Sequence, residues 1–394
     1  MNKVKLGKVI TLHRGYDLPE AKRKPGDVPI ISSAGPSGFH SMAKLDGENV
    51  ITGRYGTIGE VFYHRGECWP LNTALYVSDF HGNCPRYTAY LLKAVLDAAN
   101  IDGKDKSTTP GVDRNVLHDL DVPYIESIDE QMAIAEVLGA IDDKISLNKR
   151  LYTKLEETAQ LIYDYWFTQF DFPDKNGKPY RSSGGKMVYS GTLKREIPEG
   201  WATCDFGRFA VNWRMPILPA GGTVYEHYSI PAFDDGMTPV FEDGSAIQSG
   251  KFLVDSGCLL YSKLNPKFKR LWWPYCLSEN SICSTEYIVL RPVDNAHFAY
   301  CYAVLNSRMF YAHMARNAVS STGSRARANA DDATNYSVAI PEDDRLIESF
   351  SSKALPLIIR AQSLRFESIE LKKLRNWLLP MLLSGQIGIS LDGE

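Results

Sequence analysis

Two kinds of loop carry the clearest chemistry in this sequence. Residues 262–270, read as Ser262, Lys263, Leu264, Asn265, Pro266, Lys267, Phe268, Lys269 and Arg270, join four cations to hydroxyl, amide and aromatic groups, with Trp272 and Trp273 just behind. Arg316 and the run Ser320, Ser321, Thr322, Gly323, Ser324, Arg325, Ala326 and Arg327 form a hydroxyl-rich loop with arginines. Earlier in the chain, Arg54, Tyr55, Gly56, Thr57, Ile58 and Gly59 occupy a place comparable to the first kind. Residues 104–114, with Lys106, Ser107, Thr108, Thr109 and Arg114, are comparable to the second. Arginine reads guanine with two parallel hydrogen bonds, while Lys, Ser, Thr and Asn serve phosphates or base edges. One such loop alone reads as an exposed turn. Recurrence of both kinds, each time before a long helical segment, turns the reading toward nucleic-acid contact.

Other chemistry is missing from the pattern. The chain has no phosphate-binding G-x-x-x-x-G-K-[ST] loop, no H-E-x-x-H, no G-x-S-x-G and no G-x-G-x-x-G. Its eight histidines do not cluster with carboxylates at metal-ligand spacing. Seven cysteines never form a C-x-x-C pair, so free thiols are expected. Asn265, Pro266, Lys267 and Phe268 resemble the Asn-Pro-Pro-Tyr/Phe loop of amino-methyltransferases, but Lys replaces the second Pro. No glycine-rich S-adenosylmethionine loop accompanies it.

The elements that must position these loops occur twice. Leu6-Gly7-Lys8-Val9 matches Phe206-Gly207-Arg208-Phe209 in character, Leu75-Tyr76-Val77 matches Glu286-Tyr287-Ile288, and Leu155 falls opposite Leu371. The offset between the two copies grows slowly along the chain, as duplication followed by loop insertions would give. Each copy opens with a Gly-, Pro- and aromatic-rich stretch containing β-like runs such as Asn49–Thr52 and Tyr287–Leu290. A long helical segment follows.

Ser127-Ile128-Asp129-Glu130 reads as a capping box opening the first segment. Ile134, Leu138, Ile141, Ile145, Asn148, Tyr152, Leu155, Ala159, Ile162 and Trp166 then alternate steps of four and three, a coiled-coil seam with one amide in it. The second segment, from about Asp343 to Leu383, carries Phe350, Ala354, Leu357, Ala361, Leu364, Ser368, Leu371 and Leu378 along one stripe. Pro356 inside it, and Gly139 at the matching place in the first, predict a short helix followed by a longer one in each copy. Gly385 is a plausible stop. The two stripes are expected to pair antiparallel and act as a spacer.

The 394 residues suffice for two or three domains, and 44% hydrophobic with 23% charged residues is ordinary for a globular protein. The net charge of -3 argues against a uniformly basic coat but leaves room for local patches. Residues 1–125 hold 15 Lys and Arg against 14 Asp and Glu, so binding by one domain alone would be weak. No apolar run reaches membrane-span length and the N-terminus lacks a signal-peptide core, which predicts a cytoplasmic protein with no membrane partner.

The plan of globular domain, long helix, globular domain, long helix resembles the specificity (S) subunit of type I restriction-modification systems. The first helical segment carries it in Asp129–Ala135, Leu138–Ile145, Leu155–Gln160 and Trp166-Phe167. The connecting Gly177–Gly185 and Arg195–Trp201 and the ending Leu374–Gly385 are also similar. The resemblance implies a non-catalytic DNA reader in a phage-defence system. Each recognition domain would read one half of a split, asymmetric target in double-stranded DNA, with the helices fixing half-site spacing. Those helices would also dock two modification subunits, through Ile134, Leu138, Ile141, Ile145, Tyr152, Leu155, Ile162, Leu357, Leu364, Leu371 and Leu378. This chain would bind no cofactor. S-adenosylmethionine, ATP and Mg would belong to the modification and restriction/translocase subunits. The family often has another polar residue where Ala326 stands between arginines.

The resulting expectation is an α+β chain of two similar mixed α/β recognition domains and two long antiparallel helices. The divisions are 1–125 for the first recognition domain, 126–172 for the first helical spacer and 173–198 for a linker. Residues 199–340 form the second recognition domain, 341–386 the second spacer and 387–394 a tail. The candidate DNA-contacting residues are Arg54, Tyr55, Thr57, Lys106, Ser107, Thr108, Thr109, Arg114, Ser262, Lys263, Asn265, Lys267, Lys269, Arg270, Ser321, Thr322, Ser324, Arg325 and Arg327. A stand-alone DNA adenine methyltransferase built on Asn265–Phe268, or a coiled-coil scaffold without nucleic-acid role, are the alternatives.

Overall fold

A computed structural model describes residues 3–99, 111–319 and 326–389. The chain divides into two compact units, Met1–Leu147 with Glu370–Glu394, and Asn148–Ile369. Both long helices therefore contribute to both units.

In the first unit, four antiparallel strands run in the order Thr11–Arg14, Ala74–Asp79, Glu48–Gly53, Val61–Arg65. A smaller sheet orders Gly35–His40, Val28–Ser32 and Trp69–Pro70, the last two parallel. Lys3–Lys5 pairs with Asp121–Pro123. The second unit repeats this scheme. Ala210–Asn212, Tyr287–Pro292, Leu259–Ser262 and Leu271–Trp272 give the same antiparallel order, and Ala202–Asp205 pairs with Ser337–Ile340. Its other sheet again has one parallel pair, Val224–Tyr228 with Ser281–Ser284, plus two added strands at Pro216–Ile217 and Lys251–Leu253. The matched motifs Leu6–Val9 and Phe206–Arg208 both form a single turn between corresponding strands. The duplication read from short matches is thus a duplication of strand order.

Each unit buries one main core beneath its four-stranded sheet. Pro85–Ala98 in the first unit covers its sheet with Tyr87, Leu91, Leu92, Val95 and Leu96, and Phe298–Asn306 does the same in the second with Tyr300, Cys301, Val304 and Leu305. Fully burying one such side chain contributes about 2 kcal/mol. All seven cysteines are free.

The first long helix runs Ile128–Tyr163 and continues as a π turn over Asp164–Thr168. Ser127 Oγ accepts the Glu130 N–H at 3.3 Å, so the cap lies where the sequence places it. The second long helix is Arg345–Leu383, 39 residues and about 58 Å at 1.5 Å per residue. Gly385, at φ +68°, stops it.

Neither helix is divided at Gly139 or Pro356. Pro356 is exposed, and so is Ser352, the residue whose carbonyl loses that N–H partner. Gly139 serves close approach instead. Arg86 Nη2 donates to its carbonyl at 3.0 Å, and a Cβ at Gly139 would meet the Arg86 guanidinium carbon at 2.5 Å.

Every seam position on the first helix is buried or half-buried, Asn148 completely, and the same holds along the second stripe. In the first unit, Ile134, Ala135 and Leu138 share a core with Leu379, Leu382 and Leu383, and Arg375 Nη1 donates to Asp142 Oδ1 at 2.7 Å. In the second, Asn148 Nδ2 donates to Glu367 Oε2 at 2.9 Å, Arg365 forks onto Glu156 at 2.6 and 3.2 Å, and Tyr163, Trp166 and Phe167 pack on Phe350. Residue numbers rise on one helix as they fall on the other, so the pair is antiparallel in each unit.

Residues 173–198, read as a linker, are built into the second unit. Met187–Ser190 and Arg195–Pro198 form a hairpin, and Phe170, Ile197 and Ala339 close a small core with Phe172, Met187, Leu193 and Trp201.

Candidate nucleic-acid interface

In the first unit, the strand Glu48–Gly53 delivers Arg54 and Tyr55 to a loop tied down on both sides. Arg54 N–H donates to the Thr73 carbonyl at 2.8 Å, and the Arg54 carbonyl accepts from Val112 N–H at 2.9 Å. Tyr55 bridges to Gly111, where a Cβ would stand 2.5 Å from the tyrosine ring. The Arg54 guanidinium lies over that ring, 4.4 Å from its centre. Arg54, Tyr55 and Arg114 line one cavity together with Arg14, Asp113 and Asn115. Asp113 caps the turn that starts at Arg114 by accepting the Asn115 N–H at 2.8 Å, leaving the Arg114 side chain exposed. Thr57 is exposed in the tight turn that follows. Arg14, held by Asp17 at 3.0 Å, was not legible in sequence: it faces the site from the strand beside Leu75, far away in the chain.

The second unit repeats the tie. After Leu259–Ser262 the chain turns at Asn265, whose φ is +46°. Asn265 N–H donates to the Ala326 carbonyl at 2.7 Å, and Asn265 Oδ1 accepts the Ala326 N–H at 3.1 Å. Val319 and Arg327 exchange two backbone bonds at 2.9 and 3.0 Å. Thus the two ends of the loop that begins at Ser320 are closed beside the Lys263–Lys267 turn, as Gly111-Val112 are joined to Arg54-Tyr55. Lys106, Ser107, Thr108, Thr109, Ser321, Thr322, Ser324 and Arg325 lie outside the described residues.

The nine residues from Ser262 to Arg270 do not present one face. Lys263 and Lys267 stay beside Asn265 and Arg327, with exposed Phe268 under the Lys267 ammonium at 5.1 Å. Ser262 is buried and its hydroxyl donates to the Leu264 carbonyl at 3.1 Å, so it holds the turn and is closed to a ligand. Arg270 is half-buried and forks onto Asp234 at 2.7 and 2.8 Å. Lys269 turns the other way, into a cavity with Glu156 and Asp164, where burial pushes its ammonium below the ordinary lysine value.

Arg327 is fixed: Nε and Nη2 donate to the two Glu286 oxygens at 3.0 and 2.9 Å, and that fork raises its pKa. Glu286 was visible only as part of the repeat. The Asn265 amide oxygen is committed to Ala326, so the side chain is not open to a flipped base as the methyltransferase alternative needs. Among the described residues no group of three or more His, Cys, Asp and Glu could hold a metal.

The spacer residues are turned inward. Ile134, Leu138 and Leu364 are buried, and Ile141, Ile145, Tyr152, Leu155, Ile162, Leu357, Leu371 and Leu378 are half-buried. The large apolar residues that the helices leave exposed are others, among them Leu147, Leu151, Leu161 and Trp377.

Residues 1–157 match the sequence model of the type I restriction modification DNA specificity domain family. The chain is 24% identical over 323 residues to the type I restriction enzyme MjaIX specificity subunit of Methanocaldococcus jannaschii, covering 78% of this chain and 70% of that one. Its fold is similar to the crystal structure of a type I restriction-modification S subunit from M. genitalium, with a TM-score of 0.59 at 13% identity over 99% of this chain and 96% of that one. In sequence over residues 1–157, and in fold over nearly its whole length, the chain is thus similar to specificity subunits of type I restriction-modification systems.

Proposed function

We propose that the chain is the sequence-specific DNA-binding subunit of a type I restriction-modification complex and has no catalytic centre of its own. Residues 1–125 and 199–340 each read one half of a bipartite, asymmetric target in double-stranded DNA. The helical segments 126–172 and 341–386 set the spacing between the halves. The observation that carries this reading is the repeated tie: in both units a cationic turn after the same strand is stitched to the end of a Ser/Thr-rich loop. A scaffold without a nucleic-acid role has no use for building that junction twice.

Arg54, Tyr55, Thr57 and Arg114 with the Lys106–Thr109 run serve one half-site. Lys263, Lys267 and Arg327 with Ser321, Thr322, Ser324 and Arg325 serve the other. Asn265 and Ser262 shape the second turn, and Arg270 braces it through Asp234. The helices dock two modification subunits, with the seam residues keeping the pair rigid and exposed residues such as Leu151, Leu161 and Trp377 offering contact. S-adenosylmethionine, ATP and Mg act on the modification and restriction/translocase subunits. Among the described residues no helix is long and apolar enough to cross a membrane, and a cytoplasmic location suits a DNA reader.

The test is binding of the reconstituted complex to a randomised duplex library. Arg54→Ala and Lys263→Ala are expected to relax selection at opposite halves of one selected motif while assembly is retained. Unchanged selection in both variants overturns the site assignment.

A further inference from the structure

The second unit holds a cavity of about 250 Å3 that the DNA reading does not use. It is walled by the aromatic end of the first long helix, the strand Arg195–Pro198 and one face of the helix Arg308–Asn317. Met309, His313 and Arg316 follow each other at helical spacing and so line it together. Its polar wall is formed by Arg195, Arg316, His313, Asn335, Tyr336 and Thr168, and no carboxylate lines it.

Arg195 is the unusual group. Its guanidinium lies over the Phe170 ring at 4.8 Å, and Nη1 donates to the Thr168 carbonyl at 3.3 Å. Its Nε–H is buried and has no acceptor. Several half-buried arginines are matched by a carboxylate, Arg270 by Asp234, Arg365 by Glu156 and Arg86 by Asp143, whereas Arg23 and Arg54 are not, but neither of these lines the cavity. Among the described residues none does this for Arg195, since its neighbour Glu196 faces Arg181 at 3.6 Å. Burial accordingly pushes the Arg195 pKa down. Arg316 is exposed, lines the same cavity and has no ion pair among the described residues. A desolvated cation without a counter-charge is costly, and a phosphate oxygen supplies both the charge and the acceptor that the planar fork is shaped for.

We propose that this cavity binds a phosphate group between Arg195 and Arg316. The Tyr336 hydroxyl and Asn335 amide, which line the same wall, complete the donor set. The phosphate belongs either to the DNA backbone or to a soluble phosphate compound. The proposal does not rest on which bases the recognition loops read.

Titration calorimetry of the full chain with inorganic phosphate, against chloride at matched ionic strength, tests it. Saturable binding specific to phosphate is expected, with Kd raised about tenfold or more in Arg316→Gln and in Arg195→Gln, the loss of one charge-assisted hydrogen bond. Arg316 is exposed, so Arg316→Gln keeps the fold and decides the matter even if Arg195→Gln does not. No saturable binding, or wild-type affinity in Arg316→Gln, overturns the proposal.

A second arm assigns the source. If the log–log salt slope of duplex binding falls by about one in Arg316→Gln, the phosphate is the backbone's. If that slope is unchanged while the phosphate isotherm is lost, the ligand is soluble. Both outcomes require the isotherm and uphold the cavity. Failure of base selection by the recognition loops would leave the isotherm intact, so the two readings fail separately.

Discussion

The Asp142 carboxylate on the first long helix is gripped from two elements at once. Arg375 on the second helix donates to Oδ1 at 2.7 Å, and the Tyr90 hydroxyl on the sheet-covering helix donates to Oδ2 at 2.6 Å. One acid thereby ties the helix pair to the globular part of the first unit. Beside it, Arg86 forks onto Asp143 at 2.7 and 3.1 Å, which holds the Asp143 carboxyl below its usual range.

Asp142→Ala should therefore cost about 2 kcal/mol in chemical denaturation of the full chain, because Arg375 and Tyr90 lose a charged acceptor in a half-buried place. A loss under about 0.5 kcal/mol would show that water replaces the carboxylate easily.

Asn148 occupies the seam with its Nδ2 donating to Glu367 and its Oδ1 buried without a donor. A polar residue at such a position costs stability and selects one register. Asn148→Leu should unfold at equal or higher denaturant, yet methylate targets with more than one half-site spacing in the assembled complex. A destabilised variant that keeps a single spacing would contradict the register role.

His227 gives a dependence on pH. Burial pushes its imidazole below the ordinary value of about 6.5, outweighing the opposite pull of Glu242, whose carboxylate is 2.6 Å away. The unfolded chain then binds this proton more readily than the folded one. Stability is complete above about pH 6.5 and falls as pH drops below it. Denaturation midpoints from pH 7 to 5 should slope less in His227→Gln than in wild type. Equal slopes would remove His227 as the cause.

Arg327 is oriented by Glu286, so Glu286→Gln should weaken DNA binding without changing the number of cations. The expected result is lower affinity at an unchanged salt slope, because that slope counts phosphate contacts. A slope reduced by about one would instead mean that Arg327 itself leaves a phosphate.

Much of this was legible in sequence because it is written in local periodicity. The four-three spacing from Ile134 to Trp166 marks the buried face of the helix without error, and the Leu6–Val9 and Phe206–Arg208 matches locate equivalent turns. What was not legible depends on partners far away in the chain. Gly139 reads as a weak point until Arg86 is seen against it, and Pro356 reads as a break until its side of the helix is known to face water. Within residues 262–270 each cation looks equivalent, yet Asp234, Glu156 and Asp164 draw Arg270 and Lys269 away from Lys263. Which way a side chain turns is decided by charges on other strands and helices.

The role proposed for this chain is to set a two-part DNA target. Mapping methylated adenines across the genome of the source organism, with the gene intact and with it deleted, tests that role. Deletion is expected to abolish methylation at one motif made of two defined halves split by unspecified bases, and at no other. An unchanged map in cells that express the chain and its modification subunits would contradict it.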